Sequence, residues 1–513
     1  MQANVKPTDV VRLASPRFGW LLMLALFGIA VVALAAASAA HAVDRIYWSN
    51  FGNDTISWAN LDGSDSGNVN TAGAIVNGPM GMALDPAAGR VYWSNYGNVG
   101  PGEGTTISYA NLDNSGGGTV PISGTPVTGP HGLAIDPATG QLYWPDYDTS
   151  DISTANLDGS GGRVLPTPNA TVDGPRGLTI DPSAGKIYWA NFNAGVLSYA
   201  NLNGSGGGNL NTANATVSTP EGVALDPGAG RIYFSNFSLA GKISYANLDG
   251  SGSGDLPTGT VTIDEPHGVA LDPAAGRIYW ANWDSSTIAY ANLNGSGDGG
   301  TLNTTQTSIS APNLPVLLEA PTPAGSPTIT GNSQPGSRIS CQSSWADQRS
   351  SLLYDTPQSQ SYQWIEGGGA MAGANSNSIN APSVGIYRCQ VGASNQAGSA
   401  NESSRAFAVF RIGKARLNRK NGTARLTVNV PGSGSLVVSG RKIVKHRAER
   451  LATTSRTVGA GKATFIIKPK RKVKKRLARR GKAKVKANVT FTLTGGSPAQ
   501  QTTSITLREK RLR

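Results

Sequence analysis

Only four histidines occur among the 513 residues, and two of them, His131 and His267, fill the same slot of a recurring Pro-x-Gly element. The middle residue of that element reads Met80, His131, Arg176, Glu221 and His267, and a degenerate copy at Pro312 places Asn313 there. Imidazoles, a carboxylate and a guanidinium at equivalent positions can pass protons near neutral pH or hold a polar ligand. Their spacing lacks the regular His/Asp/Glu pattern of a metal centre, and neither metal nor other cofactor is expected. No Ser/His/Asp order, phosphate-cradling loop or nucleotide fingerprint accompanies them.

The elements that must carry these residues are read from a second repeat. Tyr47-Trp48, Tyr92-Trp93, Tyr143-Trp144, Tyr188-Trp189, Tyr233-Phe234 and Tyr279-Trp280 follow one another at steps of 45, 51, 45, 45 and 46 residues. The frame around them is clearest at 266–294, PHGVALDPAAGRIYWANWDSSTIAYANLN. A period of about 40–50 residues, rich in strand formers and Gly/Asn/Asp turns, marks propeller blades of four strands each. Asp-Pro ends the first strand of a unit because proline offers no ladder donor, and the apolar faces of one unit need its neighbours. Six Tyr-Trp-type strands stand against five full Pro-x-Gly segments, at Pro79, Pro130, Pro175, Pro220 and Pro266. The strand VDRIYWSN from Val43 lacks an inner partner, and PNLPVLLEAP at 312–321 falls where one is due. A six-bladed propeller over 43–320, closed by a composite blade, leaves no open edge.

In a propeller the Pro-x-Gly turn enters the innermost strand at one mouth of the central channel, so the six middle residues form a ring. His131 and His267, half a turn apart, are expected to face each other across that mouth, too far apart to share a metal ion. A second ring, Phe51, Tyr96, Tyr147, Phe192, Phe237 and Trp283, follows each tetrad by one residue. Its uniformity predicts packing between blades.

These repeats resemble the YWTD propellers of the low-density lipoprotein receptor family, which are six-bladed and bind proteins outside the cell. The tetrads read YWSN, YWSN, YWPD, YWAN, YFSN and YWAN, so only Asp146 keeps the family's acid. The Pro-x-Gly element is also similar to NHL-type repeats and to bacterial propeller lyases and lactonases, in which a histidine in this slot can be catalytic. That resemblance implies an alternative, an enzyme working through His131, Glu221 and His267.

Beyond the propeller the chain is modular. Residues 1–42 read as an export signal: Lys6, Arg12 and Arg17, an apolar run from Trp20 to Ala40, then Ala40-His41-Ala42 before Val43. The run is long enough that an uncleaved membrane anchor is the alternative. A Pro-rich linker at 320–328 leads to 321–410, where Cys341 and Cys389 bracket Trp364 and Tyr387 precedes the second cysteine by two. This pattern resembles an immunoglobulin-like sandwich and implies a disulfide. The 23-residue gap from Cys341 to Trp364 predicts an inserted loop at 344–361.

The last segment, 411–513, holds 29 Lys and Arg against Glu449 and Glu509, a net +27, while residues 1–410 carry −14. Its alternating strands resemble the basic β-domains that end many secreted actinobacterial proteins. Between them lies PKRKVKKRLARRGK at 469–482, a short helix or a basic loop. Arg471, Lys472, Lys474, Lys475, Arg476, Arg479 and Arg480 make the densest patch, suited to anionic wall polymer or a membrane surface. Nucleic acid fits poorly, since only Phe465 and Phe491 interleave the charge and the chain is read as exported. Acid-poor loops such as DGSGSGD at 249–255 lack the spaced ligands of a calcium site. The expected protein is all-β, secreted or held at the cell envelope, and binds a protein or glycan at its propeller mouth.

Overall fold

The computed structural model describes residues 44–97, 105–238, 241–345, 353–444, 446–448 and 461–510. The expected export signal at 1–42 and its cleavage point before Val43 lie outside the described residues, as do 346–352 of the inserted loop. The protein is all-β but for one helix, Arg471–Arg480, among the described residues. No helix there is long and apolar enough to cross a membrane.

Six antiparallel sheets repeat through 44–318 and form a β-propeller. In blade 4, Pro175–Asp181 is innermost, followed outward by Lys186–Asn191, Val196–Asn201 and Gly207–Asn209. The second strand is buried on both faces because a blade has a neighbour on each side. Successive side chains of a strand point to opposite faces, so the two aromatics of each pair serve different interfaces. Tyr92 shares a core with Trp144 of the next blade, Tyr143 with Trp189, and Tyr188 with Phe234. Tyr279 shares one with Trp48, and this pairing joins the last blade to the first. Pro312–Leu318 lies antiparallel to Arg45–Asn50, with Tyr47 opposite Val316 and Asn50 opposite Pro312, so both ends of the chain segment build blade 1.

The fourth tetrad position keeps its work without keeping its charge. Asn50, Asn95, Asn191 and Asn282 each accept the indole N–H of the tryptophan two residues earlier, at 3.1–3.2 Å. Asp146 accepts the same bond from Trp144 at 3.0 Å. The same side chains also accept a backbone N–H from the loop before the Pro-x-Gly turn, as Asn191 does from Asp173 and Asn236 from Ser218. One carbonyl oxygen suffices for both bonds, and the asparagine N–H₂ adds a bond to Ser57, Ser108, Ser198 or Ser244 on the third strand. An ionised acid would instead bear a desolvation cost, which is why burial raises the pKa of Asp146.

After the propeller, Pro323–Gly331, Arg338–Trp345 and Ser378–Asn380 form one sheet. Ser359–Glu366, Gly385–Asn395, Gly398–Ser403 and Ala406–Val409 belong to another. Cys341 and Cys389 are bridged between the two sheets, with Cα atoms 6.3 Å apart, and Trp364 lies opposite Cys389. The Tyr387 hydroxyl donates back to the Ser383 carbonyl at 3.1 Å, tying the bend four residues upstream.

The second sheet does not stop at residue 410. Ala406-Phe407 pairs in parallel with Gly496-Ser497, and the sheet continues through Gly496–Arg508, Lys482–Leu493 and Gly434–Ser439. One hydrophobic core runs across that point, from Trp364 and Phe410 to Phe491 and Leu507.

The inserted loop returns to the propeller. Leu353-Tyr354 pairs in parallel with Leu317-Leu318, at the end of the innermost strand of blade 1 that lies away from the Pro-x-Gly turn. Tyr354 is buried with Leu84, Leu271 and Leu318, which end the innermost strands of blades 2, 6 and 1. Asn395 adds a bond to the Glu319 carbonyl at 2.6 Å.

Candidate functional site: the ring at the propeller mouth

The Pro-x-Gly glycine is required by crowding at the channel axis. A Cβ on Gly132 would lie 2.6 Å from the Arg176 carbonyl, and one on Gly177 2.4 Å from that of Glu221. Adjacent innermost strands touch backbone to backbone there, with Gly132 N–H donating to the Arg176 carbonyl at 2.9 Å. Because the backbones are this close, the side chains one residue earlier meet.

Glu221 is the hub. It is wholly buried, and its Oε2 receives Arg176 Nη1 at 2.6 Å. Its Oε1 lies 3.7 Å from His267 Nδ1 and 4.0 Å from His131 Nδ1. His267 Nδ1 is 2.6 Å from Asn313 Oδ1, and Asn313 Nδ2 reaches Met80 Sδ at 3.3 Å. All six sequence-selected residues are thus brought together. His131 and His267, expected to face each other across the mouth, both approach the same Glu221 oxygen, a convergence the sequence reading did not anticipate.

Burial governs the charges. Desolvation pushes Glu221 up to about 7 despite the Arg176 guanidinium, which opposes the rise. Burial and then the Arg176 charge hold His131 well below its ordinary value, and the same causes bring His267 down to about 3. Both imidazoles are therefore neutral, and their approach to Glu221 is not ion pairing. Asn313 Oδ1 can only accept, so His267 Nδ1 carries the proton and its Nε2 presents a bare lone pair. That Nε2, His131 Nδ1, Arg176 Nε and Glu221 Oε1 are buried without a hydrogen-bond partner among the described residues.

The aromatic ring flanks this polar ring. Each of the six is half-buried. His267 stacks on Trp283, centroids 4.2 Å apart, and meets the edge of Phe237 at 4.8 Å. His131 lies between Tyr96 and Tyr147, and the Arg176 guanidinium sits 3.5 Å over Phe192. The aromatics pack between blades as expected, yet they also hold the polar side chains and keep an exposed face at the mouth. Sequence uniformity pointed to the first role and concealed the second. Among the described residues no group of three or more His, Cys, Asp or Glu is arranged to hold a metal ion.

The second set of candidates forms a helix, Arg471–Arg480, capped by left-handed Gly481, whose N–H reaches the Leu477 carbonyl at 2.7 Å. Leu477 is its buried residue, and the seven cations are exposed. Arg471–Lys475, Lys472–Arg476, Lys475–Arg479 and Arg476–Arg480 are like charges four residues apart, each costing about 0.2–0.5 kcal/mol. No acid lies in the first turn to offset the dipole.

No protein-family model matches the sequence. Solved structures similar to this chain include one in a nidogen/laminin complex, at 18% identity and TM-score 0.44, covering 53% of this chain and 98% of that one. A Bacteroides fragilis protein assigned as a 6-phosphogluconolactonase gives 12% and 0.40, covering 55% and 99%. A Lactobacillus plantarum protein gives 16% and 0.37, covering 54% and 100%. The propeller fold rests on the six sheets and their closure.

Proposed function

We propose that the chain is an exported binding protein whose propeller mouth takes a glycan or protein ligand and whose basic C-terminal module, 411–513, attaches to an anionic surface. The observation that carries the first half is the group of four partnerless polar atoms within one ring beneath six half-exposed aromatic side chains. The ring's ionic needs are met internally, since Arg176 and Glu221 pair and both imidazoles are neutral. A neutral tip that both donates and accepts is therefore favoured, and a hydroxyl does so. Aromatic faces beside it suit the apolar face of a sugar ring. The immunoglobulin-like reading of 321–410 is supported by the inter-sheet bridge over Trp364 and by the Tyr387 bond. Export is supported by the leader-like segment and by the disulfide.

The test is a glycan and peptide array probed with the full-length protein and its Arg176→Ala and His131→Ala variants, each checked for an unchanged circular dichroism spectrum. Loss of the bound spots in both folded variants is the expected outcome. A variant that keeps every spot would place the ligand elsewhere.

A second reading has its own observation. A carboxyl near pH 7 beside two neutral imidazoles is an arrangement for general acid–base work, as in a lyase or lactonase. Turnover of a lactone panel that is lost in Glu221→Gln, with the melting temperature kept, would favour it over binding.

A further inference from the structure

Three recesses in the basic module are joined through shared cations. The first, of about 420 Å³, lies between the helix and Lys482–Leu493 and is lined by Lys442, Arg476, Arg480, Lys482 and Lys484. Lys442 and Lys484 are shared with a second recess of about 370 Å³, which adds Arg441 and Lys486. Arg476 and Arg480 are shared with a third, of about 470 Å³, on the helix's outer side. Among the described residues no acid and no aromatic residue lines any of them.

The strand supplies its part by alternation. Ala483, Val485 and Ala487 point into the core, so Lys482, Lys484 and Lys486 all point outward, about 6.8 Å apart. The helix supplies its part at the cost of self-repulsion, and among the described residues no salt bridge relieves it. An anion seated between helix and strand would neutralise both walls and stabilise the fold that presents them.

We propose that these recesses form one track for a linear phosphate polymer, a chain of phosphate or phosphodiester groups laid from the helix across Lys442 to Lys486. This rests on the reading of the module as an anionic-surface anchor and narrows it from diffuse attraction to a defined path. A flat bilayer presents a plane, whereas cations set on strand, turn and helix around three joined recesses are met along their length by a flexible chain. The absence of lining aromatics removes the stacking that single-stranded nucleic acid uses.

The experiment uses the full-length protein and immobilised inorganic polyphosphate across a salt series, with two variants of equal charge loss. Lys442→Gln/Lys484→Gln alters the track, and Arg416→Gln/Arg425→Gln alters an exposed cross-strand pair outside it. The track variant should lose about tenfold in affinity, and its log–log salt slope should fall by about 1.4, whereas the control changes less than about twofold. Soluble polyphosphate should also raise the melting temperature of the unaltered protein more than that of the track variant. Equal losses in the two variants would overturn the track and leave the anchor reading standing. Undiminished binding in both would overturn the two readings together. Tighter binding to single-stranded DNA or to anionic phosphatidylglycerol vesicles at matched salt would overturn the choice of polymer.

Discussion

At the propeller mouth, one guanidinium and one carboxylate meet at 2.6 Å under a ring of aromatics, and the neighbouring imidazoles are neutral. On the helix of the basic module, seven cations share ten residues with no acid in the first turn. Both regions gather polar side chains, but burial decides what those side chains become. In the first, desolvation converts charge into shifted proton affinities and unfilled hydrogen bonds. In the second, exposure leaves the charge intact and the field extends over about 8 Å at physiological salt, so attraction there depends on ionic strength. One chain thus carries a buried polar cluster and an exposed cationic one.

The largest effect is expected at the sheet that supports the basic module. Replacing Cys341 and Cys389 with alanine opens a loop of 48 residues and should cost about 3–4 kcal/mol. Because the same core holds Trp364 and Phe491, the loss should appear in the basic module's unfolding, read by denaturant titration. Unchanged stability would show that the bridge is dispensable to that core.

The contrast in burial gives the next effect. Glu221→Leu strands Arg176 and should cost about 3 kcal/mol, the low side for a broken buried pair because the carboxylate's own desolvation is relieved. Arg480→Leu, at an exposed position, should stay within about 0.5 kcal/mol. Similar values for both, by thermal melting, would remove the distinction.

Acidity sharpens it further. Glu221 is raised from 4.5 to about 7, so its contribution to stability is present below pH 4.5 and lost as pH rises through 7. His131 and His267 are depressed, so theirs is present above pH 6.5 and lost as pH falls below it. The two windows overlap between pH 4.5 and 6.5, where two imidazoles oppose one carboxyl, so the melting temperature should peak near pH 6.5. Glu221→Gln should remove the fall above that peak and steepen the rise below it. An unaltered profile from pH 5 to 8.5 would show that the carboxyl does not titrate there.

The smallest effect belongs to the helix. Lys475→Gln removes two like-charge pairs and should stabilise the module by about 0.5 kcal/mol at low salt, vanishing at high salt. Destabilisation at both salts would mean the residue packs rather than repels.

Much of this was legible because the repeat aligns equivalent positions. The Tyr-Trp spacing located the blades, the missing inner strand located Pro312–Leu318, and the Pro-x-Gly slot located all six ring residues. A repeat gives a residue's angle around the axis but not its reach. Glu221 therefore looked like one member of a ring, while in the folded chain it is the residue on which two histidines converge. The aromatic ring was misleading in the same way, since packing and presentation leave one sequence signature. The four lysines of the track, Lys442, Lys482, Lys484 and Lys486, were visible only as alternation in KAKVKA and one cation in a turn, because their proximity to the helix is tertiary. The sheet that passes from Ala406 to Gly496 joins residues 90 apart and left no local trace.

The peg formed by Leu353-Tyr354 has a mechanical meaning. A pull on the C-terminal module would not reach the propeller through the Pro-rich segment at 320–328 alone. It also passes through a strand laid parallel to Leu317-Leu318, with Tyr354 gripped by three blades. Force along that direction loads the crosswise bonds together, in shear, instead of peeling them singly. The point of loading is the innermost strand of blade 1, whose other end carries Asn313, so tension would arrive beside the polar ring at the propeller mouth.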